Sequence, residues 1–356
     1  MPRDRSERRF ALGYLPALDG LRAVAILMVL VYHDHLLRGG FLGVDVFFAL
    51  SGFLITSILL QEWHGGGIHL GKFYARRFLR LAPALVVFVL VVFVVDRWLS
   101  PGIFGTIAPG WAAAAVLYVS NLVIAYAREY PLGPFSICWS LAQEEQFYLL
   151  WPLVLRSLLR RGLPRLYLAG LLLAPIAGSA ILRQSLVARG TGDPGLWLRV
   201  YFGPDARADV ILFGCALALA VDVWGLPRPG GPTRLTGAVT LAGLSALAAL
   251  CATRDILGMV NDPLLFTVTA VASTLFVLGA LTLPWLRTLL ALPGLVWIGR
   301  LSYSLYLWHE IGLYLGQAGG PLGRYLTPLA LAAASHYVIE RPFLHLKRRL
   351  SPGGGI

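Results

Sequence analysis

Long apolar runs, separated by short basic or Gly/Pro-containing segments, recur along the chain and set its architecture before any single residue is considered. Runs approaching the ~20 residues that a helix needs to cross a bilayer begin near residues 21, 41, 81, 111, 138, 166, 208, 235, 263, 295 and 323. Together they occupy most of the 356 residues, which predicts an all-α polytopic membrane protein without a sizeable soluble domain. The first run holds Arg22 and His33, eleven residues apart. Eleven helical steps return two side chains to nearly the same azimuth, about 16 Å apart along the axis. On a hydrocarbon-facing surface both would be costly, so the spacing leaves two readings: functional groups facing an interior cavity, or a snorkelling arginine with a satisfied histidine near the opposite rim.

Composition agrees with the pattern. The chain is 57% hydrophobic and 13% charged, against about 25% charged in ordinary soluble domains. The net charge of +12 is concentrated beside the spans, as in topology signals, and does not call for a nucleic-acid partner. Four clusters stand out: Arg3, Arg5, Arg8 and Arg9; Lys72, Arg76, Arg77 and Arg80; Arg156, Arg160, Arg161 and Arg165; and Arg341, Lys347, Arg348 and Arg349. With the pairs Arg228/Arg234 and Arg287/Arg300, these hold 20 of the 30 basic residues. Placed on the cytoplasmic side, they put both termini inside and require an even number of crossings between Arg80 and Arg156. Three apolar runs lie there, so the segment 108–126, around Trp111, is expected to be re-entrant or interfacial, leaving about ten transmembrane helices.

The first run exceeds a typical signal-peptide core and lacks a small-residue cleavage site, so it is expected to remain as a span. The expected organisation is a basic cytoplasmic N-terminus over 1–15, a membrane domain over 16–342 and a basic, Gly-rich tail over 343–356. The segment from Gln184 to Arg207 is expected as a plain connector, or as a flexible Gly/Pro-containing stretch whose later aromatics, Trp197 and Tyr201, suit an interface. Cys138, Cys215 and Cys251 lack disulfide or metal-ligand spacing and are expected as buried free thiols. No paired broken spans of the transporter kind occur.

Polar residues inside the runs are the candidate chemistry. Arg77 and Arg80 are three apart on one helix face, a spacing suited to clamping a phosphorylated ligand such as a coenzyme A thioester, or to meeting anionic lipid. Glu144 and Glu145 lie in an apolar stretch, with Glu144, Tyr148 and Trp151 on one face. A buried carboxylate needs a partner, and His33 should lie at comparable depth, so a Glu144–His33 contact that prepares a general base is expected. Asp19 can pair with Arg22, three residues on. Asp45 is a further near-membrane carboxylate; His309 and His336 lie within late apolar runs; His64 is expected at an interface or in a loop, and no metal-binding spacing is present.

These segments together resemble the acyltransferase-3 family of integral membrane O-acyltransferases. The carrying residues are the basic-x10-His pair Arg22 and His33, the R-x-x-R pair Arg77 and Arg80, the Gly43-Val-Asp45-Val-Phe-Phe-Ala-Leu-Ser-Gly-Phe-Leu54 segment, Trp139-Ser-Leu-x-x-Glu144, Ser302-Tyr303-x-x-Tyr306-x-x-His309, and Glu340-x-Pro342. They follow in order over roughly residues 15 to 342. Gln143, where the family usually has an apolar residue, is a local departure. No C-terminal esterase-type domain follows the last run, so transfer by a second domain of the same chain is not expected.

The resemblance implies about ten helices around a cytoplasm-facing cavity in a bacterial inner membrane. It implies transfer of an acyl group, acetyl by family habit, from cytoplasmic acyl-CoA as co-substrate to a hydroxyl of a glycan or glycosylated metabolite. No permanently bound cofactor or metal is expected, and membrane lipids are the surrounding partner. His33, Glu144 and Arg22 become the catalytic candidates; Arg77, Arg80, Asp45, Tyr303 and His309 become the substrate-binding ones. The competing reading is a glycolipid transporter or flippase that uses the same buried charges without covalent chemistry.

Overall fold

The computed structural model describes residues 13–99, 109–131, 133–190, 192–225 and 234–349, all helix, turn or loop with no strand among them. Arg3, Arg5, Arg8, Arg9 and Arg228 lie outside these residues. The first three long helices are α1 (Pro16–His33), α2 (Gly43–His64) and α3 (Leu70–Val94). Pro16 opens α1 at a position where the missing N–H costs nothing, and Asp19 sits in its first turn, where a negative charge suits the helix dipole. Between α3 and the next long helix, the described residues form a π-type turn over Val95–Leu99, the short α4 (Pro109–Val116) and α5 (Ser120–Leu122), a second π-type turn over Val123–Ala127 and a 3-10 turn over Gly133–Ile137. The described part of segment 108–126 is therefore broken into pieces too short to span, as expected of an interfacial segment.

The chain continues through α6 (Cys138–Arg160), α7 (Arg165–Leu171), α8 (Leu173–Arg189), α9 (Leu196–Phe202) and α10 (Ala208–Trp224). Then come α11 (Arg234–Thr253), α12 (Ile256–Asn261), α13 (Leu264–Thr282), α14 (Pro284–Leu290), α15 (Pro293–Arg300), α16 (Ser302–Gly316), α17 (Gly320–Ser335) and α18 (Arg341–Arg349). Among the described residues, six stretches are long and apolar enough to cross a membrane: Pro16–His33, Gly40–His64, Leu70–Trp98, Arg165–Arg189, Arg234–Thr253 and Leu264–Thr282.

Packing follows membrane rules, in which small residues permit close helix contact because burial of apolar surface gives little preference for protein over lipid. Helices α2 and α10 cross on a pair of glycines. A Cβ at Gly52 would strike the carbonyl oxygen of Ile211, and one at Gly214 would strike that of Ala49, so neither position admits a side chain at this separation. α1 lies against α15 and α2, α16 forms a hairpin with α17, and α18 folds back on α3. Cys138, Cys215 and Cys251 are buried free thiols, as the spacing predicts.

The segment from Gln184 to Arg207 departs from its expected form. Helix α8 runs on to Arg189, and α9 then turns its aromatics inward: Tyr201 and Phe202 each place ring centroids 5.0 Å from Trp139. The aromatics expected at an interface thus find a protein core. Arg183 and Arg207 are 0% and 1% exposed. Arg183 makes a forked contact with Asp209, at 3.0 and 2.6 Å, and also donates to Thr267 on α13 and to the carbonyls of Ala206 and Pro263. Arg207 reaches Asp45 at 2.6 Å and stacks over Phe266, with its guanidinium carbon 4.3 Å from the ring centroid. These contacts join α2, α8, α10 and α13 at one level of the bundle.

Removing one partner of such a buried pair strands the other, at a cost of about 3–5 kcal/mol. Arg183→Met is expected to lower unfolding stability in detergent by that amount. Arg199→Met, which opens an exposed pair with Asp205, should change it by no more than about 1 kcal/mol.

Candidate active site

Between the ends of α1, α2, α3, α15, α16 and α18 lies an open bowl of about 860 Å³. Its wall carries Arg22, Arg77, Arg80, Arg300 and Arg341 against the carboxylates Asp19 and Glu340. Arg22 pairs with Asp19 at 2.8 Å, as the three-residue spacing predicts. Arg300 donates to Tyr14 at 2.7 Å and lies 3.8 Å from Asp19. Arg77 donates to Glu145 at 3.1 Å and lies flat on Tyr148, its guanidinium carbon 3.5 Å from the ring centroid. Arg80 points to the same space and has no ion pair among the described residues. The face shared by Arg77 and Arg80 is thus the one turned to the bowl, and the bowl holds more positive charge than its own carboxylates balance.

A narrower recess of about 90 Å³ leads inward from the bowl, with Arg22, Ser51, Arg77, Arg80, Tyr148 and Tyr303 common to both walls. Its inner lining adds Ser140, Glu144 and Tyr306. Tyr303 is fixed by donation to the Leu81 carbonyl at 2.8 Å, while Ser140 and Tyr306 bond through their hydroxyls at 2.6 Å. Helix α16 continues from there to His309 and Glu310.

His33 meets this second group at the far end of α1. Its Nδ1 is 2.9 Å from the Val29 carbonyl oxygen and 3.2 Å from Nε2 of His309, and its Nε2 is 3.4 Å from Oε1 of Glu310. His309 Nδ1 lies 2.7 Å from the Tyr306 carbonyl oxygen, and Ser136 donates to Glu310 at 2.8 Å. The acceptors assign the protons. His309 Nδ1–H donates to Tyr306, so its Nε2 accepts from His33 Nδ1–H, which Val29 shares. That leaves the Nε2 lone pair of His33 facing a carboxylate oxygen, so a proton taken up at Nε2 would be shared with Glu310. His33, His309 and Glu310 also offer ligand atoms within 4.8 Å of one another, a set that could hold a metal ion. Their mutual hydrogen bonds account for the arrangement without one.

Two expected placements are corrected. Glu144 does not meet His33: it accepts from Ser51 at 2.6 Å on the recess wall, and the carboxylate at His33 is Glu310. Comparable depth in a bundle does not fix azimuth, and α16 rather than α6 turns its polar face to the end of α1. Asp45, expected at the substrate, is 1% exposed, lines neither cavity and bonds Arg207. His309 is 0% exposed, lines neither cavity, and is bonded to the Tyr306 carbonyl and to His33. His64 ends α2, half-buried, and bonds Asp222 at 2.8 Å. Glu310 and Ser136 were not singled out from the sequence. Glu310 directly follows His309 in an apolar run, and that position was the available clue.

The family model described as an acyltransferase domain matches residues 15–337. The chain belongs to the acyltransferase-3 family. Among its relatives, the O-acetyltransferase OatA of Staphylococcus aureus (strain NCTC 8325 / PS 47) is 34% identical over 360 residues, covering 95% of this chain and 58% of the relative. The peptidoglycan O-acetyltransferase OatA of Listeria monocytogenes serovar 1/2a is 36% identical over 322 residues, covering 85% of this chain and 50% of that protein. The putative O-acetyltransferase SACOL0978 of Staphylococcus aureus (strain COL) is 33% identical over 354 residues, covering 93% and 57%. The chain therefore spans between half and three-fifths of the length of these relatives. No solved structure matches. Membership in this family favours group transfer over the transporter alternative.

The two clamp arginines differ in their partners and should differ in their effect on stability. Arg77→Gln leaves Glu145 without its cation and should cost about 1–3 kcal/mol. Arg80→Gln releases no described carboxylate, so its unfolding transition in detergent should fall within ~0.5 kcal/mol of wild type.

Proposed function

We propose that the chain is a membrane O-acyltransferase that moves an acyl group from acyl-CoA to a hydroxyl of a glycan. The observation that supports this most is the continuity of an arginine-lined bowl with a recess whose inner end abuts the helix bearing His309 and Glu310, which hold His33. The bowl suits a polyphosphate, since guanidinium groups bind phosphate in fork geometry; Arg80, Arg77 and Arg22 hold it there. The names of the relatives point to acetyl as the acyl group and, through the Listeria protein, to a cell-wall glycan as acceptor.

His33 is the general base. Its Nε2 takes the proton of the acceptor hydroxyl, the oxygen attacks the thioester carbonyl, and the carbon–sulfur bond breaks to give the ester. The departing CoA thiolate receives the proton. Glu310 positions the ring and balances the imidazolium formed, and Ser136 holds Glu310 in place. Glu144 stays on the recess wall, where its bond to Ser51 sets the depth at which the donor meets α2.

The six long spans are joined in this reading by α6, α10, α16 and α17, which gives ten crossings with both termini in the cytoplasm of a bacterial inner membrane. α10, α16 and α17 have 17, 15 and 16 residues, at or just below the lower end of the ~17–25 residues of a spanning helix. α6 carries Glu144 and Glu145 into its apolar stretch, which lowers its hydropathy where the site needs charge. The broken α4 and α5 then lie at one face, and the arginine bowl opens to the cytoplasm, where CoA thioesters are made.

Purified protein in lipid nanodiscs, given radiolabelled acetyl-CoA and glycan acceptors, should yield labelled ester. His33→Ala should lower this by about 10²–10⁴-fold while retaining wild-type CoA binding. Wild-type turnover in that variant would remove His33 from the chemistry. Label held covalently by the wild-type chain in the absence of acceptor would assign His33 as acyl carrier instead of base. Glu310→Gln should lower turnover and displace its pH profile, because an amide cannot share the proton; an unchanged profile would reduce Glu310 to a packing role.

A further inference from the structure

We infer that His33, His309 and Glu310 form a binding site for one exchangeable divalent ion of the zinc class, and that an ion held there stops acyl transfer. The site stands on its geometry; only the block to transfer rests on His33 being the base, as proposed above. Among the described residues, no other three His, Cys, Asp or Glu side chains offer one ligand atom each within 4.8 Å of one another. They come from two helices, α1 and α16, that pack together.

Two imidazoles and a carboxylate are a donor set that suits zinc, with a fourth position left to water. Magnesium and calcium take oxygen ligands instead. A metal-binding histidine gives its other ring N–H to a carbonyl, carboxylate or water, which fixes the tautomer and aims the ligand atom, and a ligating carboxylate is hydrogen-bonded in its turn. All three residues have such a partner. His309 Nδ1–H donates to the Tyr306 carbonyl at 2.7 Å, which leaves the Nε2 lone pair for an ion. His33 Nδ1 lies 2.9 Å from the Val29 carbonyl oxygen, which likewise frees its Nε2. Ser136 donates to Oε1 of Glu310 at 2.8 Å and keeps that carboxylate beside the rings.

Hydrogen bonds hold the ligands together before any ion arrives. His33 Nε2 and Glu310 Oε1 are 3.4 Å apart, and His309 Nε2 is 3.2 Å from the His33 ring at Nδ1. Bonds of 2.0–2.1 Å to a tetrahedral zinc put neighbouring ligand atoms about 3.3 Å apart. The first contact already has that spacing, and His309 has only to turn its lone pair from the His33 N–H to the metal. The His33 Nδ1–H then goes to Val29 alone, while the His33 Nε2 lone pair is bound and can no longer accept a proton. The side chains of His33 and Glu310 are 28% and 19% exposed, yet neither lines the bowl or the recess. An ion thus has access that avoids the arginines, whose charge would repel it.

Purified protein in lipid nanodiscs should bind one Zn²⁺ per chain by calorimetry, and Co²⁺ should give the intense visible absorption of a four-coordinate ion. Glu310→Gln should weaken Zn²⁺ binding at least ~100-fold, and Ser136→Ala, which removes an outer partner only, by about 10–100-fold. Arg80→Gln in the bowl, and His336→Gln, which breaks a separate His–Glu pair at 3.1 Å, should leave both readouts unchanged. Saturating Zn²⁺ should lower ester formation by about 10²–10⁴-fold, as loss of the base does, and a chelator should restore it. No binding, or binding unaltered in folded Glu310→Gln and Ser136→Ala chains, would overturn the site. Binding there without loss of transfer would overturn the block, and with it His33 as base. A wild type that binds Zn²⁺ but makes no ester under any condition would overturn the function proposed above and leave the site standing.

Discussion

Hydrocarbon does not solvate charge, and the way this chain meets that constraint organises the rest of the structure. Arg183 with Asp209 and Arg207 with Asp45 neutralise each other inside the bundle, and in doing so tie four helices at one level. Arg77 is met by Glu145 and by the face of Tyr148, joining α3 to α6. After these pairings Arg80 faces the open bowl with no ion-pair partner among the described residues. A cation so placed is stable only because water reaches it, and it is free to exchange that water for an anionic ligand. Structural pairing and ligand binding are two outcomes of one accounting of charge.

Helix α16 carries that accounting into chemistry. Tyr303 stands at the mouth shared by bowl and recess, Tyr306 at the recess end, and His309 with Glu310 at the ring of His33. Residues three or four apart share a helix face, so a single polar stripe passes through every depth at which the donor would be handled. Because Tyr306 uses its hydroxyl toward Ser140 and its carbonyl toward His309, a change at the recess end reaches the histidines through one residue. The backbone of a helix is stiff enough to make that connection geometrically definite.

Much of this was legible in the chain itself, and what was not has an identifiable cause. The spacing of Arg22 and Asp19 and of Arg77 and Arg80 is local helical geometry, and both pairs lie as the spacing predicts. The parity of the basic clusters singled out segment 108–126, whose described part consists of short broken helices. The partner of His33 was misassigned because periodicity along one helix carries no information on which neighbour rotates its polar face inward. Glu144 and Glu310 are both carboxylates in apolar surroundings, and only packing distinguishes them. Asp45 was misplaced for a related reason: a charge near the membrane suggests a ligand, and its actual partner, Arg207, lies 162 residues away in sequence.

The distance between the arginines and His33 also narrows what the donor can be. Arg22 and His33 lie on one helix about 16 Å apart, and the recess covers only part of the way between them. In an acyl phosphate the acyl carbon is two bonds from phosphorus, so a clamp that held the phosphate would keep the acyl group at the bowl. A thioester carried on a long flexible arm places phosphate and acyl group at opposite ends, which fits the proposed roles of Arg22 and His33. Under the proposed function, the helix rise that makes Arg22 and His33 share a face therefore favours an extended donor. The polar stripe of α16 gives the acyl end somewhere to arrive.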